Sequence, residues 1–274
     1  MQAWVNGQLL ESPKDRAISV LDHGMIVGDG VFETIKIEDG APFALTRHLD
    51  RLVTSAHGLG IGKPDVGAIR EGVDATIEGQ EIAFGRIRVT VTSGLGTLGS
   101  PRGTHGLTSV VITEPCDRPP GVSTIVTVPW PRNERGAIAG LKTTSYAENA
   151  LMVEHALARD ASEAVMSNTV GMLCEGTGSN ILYVLDGQLI TPTLGSGCLA
   201  GVTRALVLQW CADVIERDDS IDVLKRADEV ILVGTTRDVQ AISRVDGREL
   251  PAPGPITAKV QEIWARESVK DIDP

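Results

Sequence analysis

Residues 140–151 have the sequence GLKTTSYAENAL, and residues 174–187 have the sequence CEGTGSNILYVLDG. The first stretch places Lys142 just before a helical pattern, and the second places Glu175 just before an apolar strand pattern. An amine that forms a Schiff base, with a carboxylate that keeps a pyridine nitrogen protonated, is what pyridoxal phosphate chemistry requires of a protein. The two stretches together predict an enzyme that uses this cofactor.

Both residues also have ordinary interpretations. A lysine near a helix start is usually solvated, and a glutamate before a glycine is often a turn residue. Lys142, however, follows the apolar residues 137–141, which are a poor setting for a surface charge. Desolvation there would lower the pKa of the amine and make its unprotonated form available for reaction.

Six motifs extend this prediction along the chain. They are DHGMIVGDGVFETIKI at 22–37, RHLDRL at 47–52, LKTTSY at 141–146, EGTGSNI at 175–181, LAGVTR at 199–204 and VGTTRD at 233–238. Their order resembles that of the fold-type IV (class IV aminotransferase) family of pyridoxal phosphate enzymes, from about Val5 to about Trp264. This family contains branched-chain aminotransferases, D-amino acid aminotransferases and aminodeoxychorismate lyases. The resemblance implies pyridoxal 5'-phosphate as the cofactor, with Lys142 as its Schiff-base lysine and Glu175 beside its ring nitrogen.

Composition and charge limit the remaining possibilities. A chain of 274 residues suggests about two domains, and 42% hydrophobic with 22% charged residues is ordinary globular usage. The net charge of −11 argues against binding to nucleic acid or to an anionic membrane. No targeting segment or membrane span is recognised, so a cytoplasmic location is expected. The cysteines lack metal-ligand spacing, so no metal site is expected; they are Cys116, Cys174, Cys198 and Cys211.

The hydrophobic periodicity predicts a mixed α+β fold without regular βαβ alternation. Strands are predicted at 31–37, 42–45, 85–93, 108–113, 123–129, 163–167, 180–185, 188–191 and 229–233. Helices are predicted at 46–59 (with Thr46 as N-cap), 64–78, 147–160, 201–213, 220–226 and 255–267. Two-residue hairpin turns are predicted at Asn6-Gly7, Asp39-Gly40, Asp186-Gly187 and Asp246-Gly247.

A proline-rich break at 114–121 divides the chain. We therefore expect an N-terminal domain at 1–113, a linker at 114–121 and a C-terminal domain at 122–274. The resemblance implies that the first is a small α/β domain, that the second is a larger pseudo-barrel domain, and that the cofactor binds between them.

A phosphate group needs cationic and backbone N–H donors. The resemblance assigns the phosphate to Arg51 in RHLDRL, to the helix start at Val202 and Thr203, and to Gly234 and Thr235 after a strand. Free N–H groups and the helix dipole suit an anion at such a helix start. Tyr146, four residues after Lys142, is assigned to the O3' of the cofactor or, alternatively, to the core.

Strand 31–37 carries the residues that separate the possible activities. Phe32, Thr34 and Lys36 share one face by period-two alternation, and the resemblance places that face in the active site as substrate-binding and catalytic residues. A threonine at position 34 resembles the lyases, in which its hydroxyl assists proton transfer, although a threonine is also an ordinary strand residue. Arg88 either grips a substrate carboxylate or belongs to a solvated strand face with Arg86.

The expected activity is that of a 4-amino-4-deoxychorismate lyase, which forms 4-aminobenzoate and pyruvate for folate synthesis, with Lys142 and Thr34 as proton-transfer groups. The alternative is a class IV aminotransferase acting on a D-amino acid, a branched-chain amino acid or an R-configured amine. A homodimer and a small-molecule substrate are implied by the resemblance. Specificity is expected to depend on the loops near 94–107 and 130–137.

Overall fold

The computed structural model describes residues 1–274, and these residues form two compact units. The first unit contains residues 1–118, 141–146 and 272–274, and the second contains residues 119–140 and 147–271. The chain thus passes from the first unit to the second near the proline-rich break. Two later segments, 141–146 and 272–274, belong to the first unit again. The domain boundaries expected from the sequence stay a prediction.

The first unit is built on an antiparallel sheet of six strands. The strands are β1 (Gln2–Val5), β2 (Gln8–Leu9), β3 (Gly30–Glu38), β4 (Ala41–Pro42), β5 (Phe84–Thr92) and β6 (Thr108–Pro115), in the order β2-β1-β6-β5-β3-β4. Its helices are α1 (His23–Ile26), α2 (Leu45–Leu59) and α3 (Val66–Ile77). The long strands β3 and β5 lie next to each other in the sheet.

The core of the first unit lies between this sheet and the apolar faces of its helices. Val31, Ile35 and Ile37 of β3 alternate along the strand and therefore share the face that packs in this core. Leu49 and Leu52 of α2 pack in the same cluster. Strand β3 and helix α2 therefore hold each other through one apolar layer, and both carry candidate site residues.

The predicted N-cap of α2 is wrong. The helix begins at Leu45, and its N-cap position is Ala44, which has no side-chain capping bond. Thr46 lies inside the first turn, where its backbone N–H donates to Asp273 Oδ1 at 2.8 Å. A carboxylate from far along the chain thus satisfies an N–H that the local sequence was expected to satisfy.

The second unit contains a mixed sheet of nine strands. The strands are β7 (Val122–Thr127), β8 (Glu163–Ser167), β9 (Leu173–Gly176), β10 (Asn180–Leu185), β11 (Gln188–Thr191), β12 (Val214–Glu216), β13 (Glu229–Gly234), β14 (Asp238–Val245) and β15 (Arg248–Glu249). The α-helices are α4 (Ala147–Leu157), α5 (Val202–Trp210) and α6 (Pro255–Ser268). Residues 221–225, predicted within a helix, form a short 3₁₀ helix. The buried strands β10 and β13 read as apolar runs because both of their faces are covered.

All four predicted hairpin turns are confirmed. Each joins two antiparallel strands, and both of its residues have positive φ, from 48° at Asn6 to 94° at Gly7. Asparagine or aspartate followed by glycine suits such a turn because these residues tolerate the left-handed region. The predicted α+β fold class is confirmed as well. No helix is long and apolar enough to cross a membrane, and no cluster of potential metal ligands is present.

Candidate functional site

Lys142 lies in an extended segment of the first unit, before the helix that follows it. Helix α4 begins only at Ala147, and the segment pairs with β3 through a bridge between Thr143 and Val31. The carbonyl oxygen of Lys142 accepts the N–H of Phe32 at 3.0 Å, and its N–H donates to Ser55 Oγ at 3.2 Å. The backbone of Lys142 is therefore fixed against β3 and α2, while its side chain is partly buried.

The ring of Phe32 brings three predicted site residues together. Lys142 Nζ lies 4.3 Å from the ring centroid, and Arg88 Cζ lies 3.3 Å from it. The ring of Tyr146 meets the same ring edge-on, with the centroids 5.2 Å apart. An aromatic face attracts cations, and a guanidinium stacks on it particularly well. Phe32 thus holds an amine and a guanidinium within 4.3 Å of one ring centre.

The other two residues predicted on this face of β3 differ in their surroundings. Thr34 is partly buried and lies directly across the ladder from Arg88. Lys36 is buried, its Nζ lies 3.1 Å from Glu38 Oε2, and it lies over the ring of Phe43. Thr34 therefore lies beside the group of side chains around Phe32. Lys36 lies ~13 Å from Phe32 along the strand at the usual rise per residue. The substrate-binding role of Lys36 stays a prediction.

A buried ion cluster lies on the opposite, core-facing side of β3. Glu33 is fully buried and accepts two hydrogen bonds from Arg51, from Nε at 2.8 Å and from Nη2 at 2.6 Å. Its second oxygen also lies 2.7 Å from Nδ1 of the buried His48. This bidentate contact fixes the plane of the Arg51 guanidinium, so the residue predicted to bind phosphate has a set orientation. Its binding to phosphate stays a prediction.

The protonation states in this cluster follow from burial and charge. Burial opposes ionisation of Glu33, but the positive charge and hydrogen bonds of Arg51, with the bond from His48, outweigh it and lower its pKa to about 2. Burial lowers the pKa of His48 despite its contact with Glu33. The cluster at neutral pH is therefore a carboxylate, a neutral imidazole and a guanidinium.

The Glu33 cluster predicts acid sensitivity of the fold. A folded-state pKa of about 2, below the ordinary 4.5, means that the stabilisation is present above pH 4.5 and is lost as the pH falls towards 2. We expect the free energy of unfolding to fall by about 3 kcal/mol from this group alone. Denaturant titrations between pH 6 and pH 2.5 measure this effect.

The control for that prediction is Glu71, an exposed residue of α3. Glu33→Gln should be destabilised at pH 7 and should lose less stability on acidification than the wild type, while Glu71→Gln should follow the wild type. Equal acid sensitivity of the wild type and Glu33→Gln would contradict the assignment.

Glu175 occupies a buried position in β9 of the second unit. One carboxylate oxygen accepts the N–H of Leu199 at 2.9 Å, and the other lies 3.3 Å from Nε of Arg132. A guanidinium and a backbone N–H both stabilise the ionised carboxylate. Glu175 is thus held as an anion that can keep an adjacent ring nitrogen protonated.

The start of α5 is the candidate anion site of the second unit. Gly201 is the N-cap and no side chain caps the helix, so first-turn N–H groups at Val202 and Thr203 have no acceptor within the helix. A Cβ at Gly201 would lie 1.9 Å from Asn180 Oδ1, so only glycine fits. Asn180 Nδ2 also donates to the Leu199 carbonyl at 2.9 Å. The EGTGSNI segment therefore shapes the loop that leads into α5.

Gly234 and Thr235 lie where β13 ends and the chain turns towards β14. A Cβ at Gly234 would lie 3.5 Å from the carbonyl oxygen of Gly178. This turn and the loop after Glu175 are therefore in close contact.

These residues have the chemistry that pyridoxal phosphate needs. The groups described above comprise three kinds of donor, namely an amine, an oriented guanidinium and an uncapped helix start, and one acceptor, a buried carboxylate. Sequence reasoning missed Glu33, His48 and Arg132, which hold the predicted residues in place. A signal was present for His48, because it lies three residues before Arg51 and hence on the same helix face.

Comparison with known proteins identifies relatives along nearly the whole chain. The family profile described as amino-transferase class IV matches residues 30–245. A protein of Methanocaldococcus jannaschii named "putative branched-chain-amino-acid aminotransferase" is 33% identical, covering 96% of this chain and 94% of its own. A D-alanine aminotransferase of Staphylococcus aureus is 28% identical, covering 94% and 95%.

Solved structures agree with these relatives. The branched-chain aminotransferase of Thermoproteus uzoniensis, solved with norvaline, has a TM-score of 0.85 at 29% identity and covers 97% of this chain and 94% of its own. A structure described as a putative 4-amino-4-deoxychorismate lyase, from Legionella pneumophila, has a TM-score of 0.86 at 22% identity and covers 94% and 97%. At that identity the second match shows the fold alone.

Proposed function

Because this chain belongs to the class IV aminotransferase family of pyridoxal phosphate enzymes, we propose that it is an aminotransferase for α-amino acids and 2-oxo acids. The observation that carries this proposal is Arg88. Its guanidinium stacks on Phe32 beside the amine of Lys142, where a substrate carboxylate and a reacting amine would be recognised together. An amine substrate that lacks a carboxylate could not form an ion pair with Arg88.

The physical state of Arg88 supports this role. Burial lowers the pKa of Arg88 to about 10, so it remains charged at neutral pH but is poorly hydrated. A guanidinium in such surroundings gains more from a bidentate carboxylate than one in water does. Arg86, two residues earlier, is exposed and pairs with Glu114 instead.

The cofactor-binding roles are proposed on the same basis. Bound pyridoxal phosphate supplies an aldehyde that takes up amino groups and a ring that withdraws electrons from the substrate α-carbon. Lys142, as a free amine, would take the proton from that carbon and deliver it to the cofactor carbon that carries the amino group, and would move it back in the second half-reaction. The remaining assignments are Glu175 to the ring nitrogen, Tyr146 to the ring hydroxyl, and Arg51, Val202, Thr203, Gly234 and Thr235 to the phosphate.

The lyase expected from Thr34 has weaker support than the aminotransferase. Both curated relatives reported above carry aminotransferase names, whereas the lyase rests on one threonine and on a shared fold. Thr34 nevertheless lies opposite Arg88, so its hydroxyl is available beside the substrate position. The lyase, which would form 4-aminobenzoate for folate synthesis, is therefore the second candidate function.

One assay separates these functions. Purified protein is incubated with D-alanine, L-leucine or (R)-1-phenylethylamine, each with 2-oxoglutarate, and separately with 4-amino-4-deoxychorismate. Glutamate formation from an amino acid is the expected result. Formation of 4-aminobenzoate and pyruvate without any 2-oxo acid, and without amino-group transfer, would replace the proposal with the lyase.

Arg88 gives a sharper test of carboxylate recognition. Arg88→Met should raise KM for amino acids and 2-oxo acids about a hundredfold, on the scale of losing a buried charge partner. Arg86→Met, on the same strand face, should leave KM within about twofold because its partner is Glu114. Equal KM values for both variants and the wild type would contradict the role of Arg88.

A homodimer remains part of the proposal. The first unit exposes large apolar side chains, with Val20 74%, Met25 72% and Leu98 80% exposed. Residues 21–25 and 94–98 are joined by the bridge between Asp22 and Leu95. Such a patch favours association with another protein surface, and a second copy of this chain is the partner that the resemblance implies.

A further inference from the structure

Glu163 of β8 is a buried carboxylate to which sequence analysis gave no role. Its exposed fraction is 1%. One oxygen, Oε1, accepts the N–H of Gly178 at 2.7 Å and the hydroxyl of Ser179 at 2.7 Å. The other oxygen, Oε2, lies 2.7 Å from Nη2 of Arg237. One carboxylate therefore contacts two separate chain segments.

Each of these two segments directly follows proposed cofactor ligands in the chain. Gly178 and Ser179 lie in the loop that directly follows Glu175, and Arg237 lies in the turn that directly follows Gly234 and Thr235. Strands β8 and β9 are paired, and this pairing places Glu163 next to the loop. The N–H of Thr177 in the loop donates to the carbonyl oxygen of Ala164, the residue after Glu163, at 3.0 Å.

The fit around Glu163 is close. A Cβ at Gly176 would lie 2.5 Å from Glu163 Oε1, so the loop needs a glycine in order to pass the carboxylate. Arg237 Nη1 also donates to Gln240 Oε1 at 2.6 Å, which anchors the guanidinium from its other side. The turn after β13 is thus fixed by an arginine that has Glu163 on one side and β14 on the other.

We propose that Glu163 is a positioning residue for the cofactor, because it sets the loop at 177–179 and the turn at 234–237 in register with each other. This inference rests on the proposed function. Glu163 acts on the cofactor indirectly, through the loop and the turn that it holds in place. Its removal should therefore weaken cofactor binding by more than the accompanying loss of fold stability accounts for.

A second buried glutamate of the same unit provides a matched control. Glu229 is 4% exposed and accepts the N–H groups of Ile256 at 3.0 Å and Thr257 at 2.7 Å, together with the Thr257 hydroxyl. It lies at the opposite end of β13 from Gly234, ~16 Å away at the usual rise. Its loss removes a similar set of buried hydrogen bonds without touching the loop or the turn.

The experiment measures the dissociation constant of pyridoxal phosphate from each apoprotein by fluorescence titration, and the melting temperature of each apoprotein. Glu163→Gln and Glu229→Gln should both melt earlier than the wild type. Only Glu163→Gln should bind the cofactor more weakly, by about tenfold to a hundredfold, on the scale of losing charged hydrogen bonds.

Arg237→Gln keeps the test decisive if Glu163→Gln folds poorly, since the side chain of Arg237 is 23% exposed. It should also weaken cofactor binding, and the double variant should lose less binding free energy than the two single losses added together, because both changes break the shared contact between Glu163 and Arg237. Unchanged affinity in Glu163→Gln and Arg237→Gln, or equal losses in Glu163→Gln and Glu229→Gln, would overturn the inference. A wild-type apoprotein that binds no pyridoxal phosphate would instead refute the proposed function.

Discussion

Lys142→Arg is expected to abolish amino-group transfer while leaving the fold intact. Arginine keeps the positive charge beside the Phe32 ring, where Lys142 Nζ lies 4.3 Å from the centroid. It cannot lose its proton at neutral pH, so it can neither bond covalently to the cofactor aldehyde nor act as a base. We expect turnover to fall by ~10⁴-fold, the upper range for removal of a general acid–base group.

Borohydride treatment provides the independent measurement. Reduction of the wild type with its cofactor, followed by peptide mass spectrometry, should find the cofactor attached to the peptide that contains Lys142. Lys63→Ala is the control, because Lys63 is exposed in the same unit and should not affect labelling or turnover. Attachment to any other lysine would remove Lys142 from its proposed role.

Glu175→Gln is expected to lower turnover by ~10²-fold, the scale of losing one preorganised electrostatic group in an active site. The amide retains an oxygen that can accept the Leu199 N–H, so the loop position should be preserved. It loses the negative charge that Arg132 accompanies at 3.3 Å, and with it the ability to favour a protonated ring nitrogen.

Bound cofactor should therefore remain in Glu175→Gln although turnover is low, and the absorption spectrum of the purified variant measures this. Glu229→Gln tests whether loss of any buried glutamate in the unit has the same effect, and its turnover should stay near that of the wild type. Wild-type turnover in Glu175→Gln would show that this carboxylate does not contact the ring.

The local sequence was sufficient to predict those turns, helices and strands whose conformation depends on residues that are neighbours in the chain. The four Asx-Gly turns were predictable because the two turn residues alone determine the backbone conformation. Helix α2 was predictable because Leu45, Leu49, Leu52 and Ala56 follow one helical face. The buried strands β10 and β13 were recognised from their continuous apolar runs.

Long-range contacts were not predictable in the same way. The partners of Glu33 come from helix α2 and could not be inferred from the sequence of strand β3. Strand β14 was missed because Arg244 and Ser243 interrupt its apolar pattern. The pairing of the Lys142 segment with β3 was not predicted, because the bridge between Thr143 and Val31 joins segments more than a hundred residues apart.

The discontinuity of the first unit has a consequence for the order in which the protein can fold during synthesis. The N–H of Phe32 has its acceptor in residue 142, and the N–H groups of Ala44 and Thr46 have theirs in residues 272 and 273. A nascent chain that ends at residue 118 therefore contains every strand of the six-stranded sheet but lacks these partners. The ribosome must complete most of the second unit before the first can form its last hydrogen bonds. The segment that carries the reactive lysine is thus added to a sheet whose strands have already emerged.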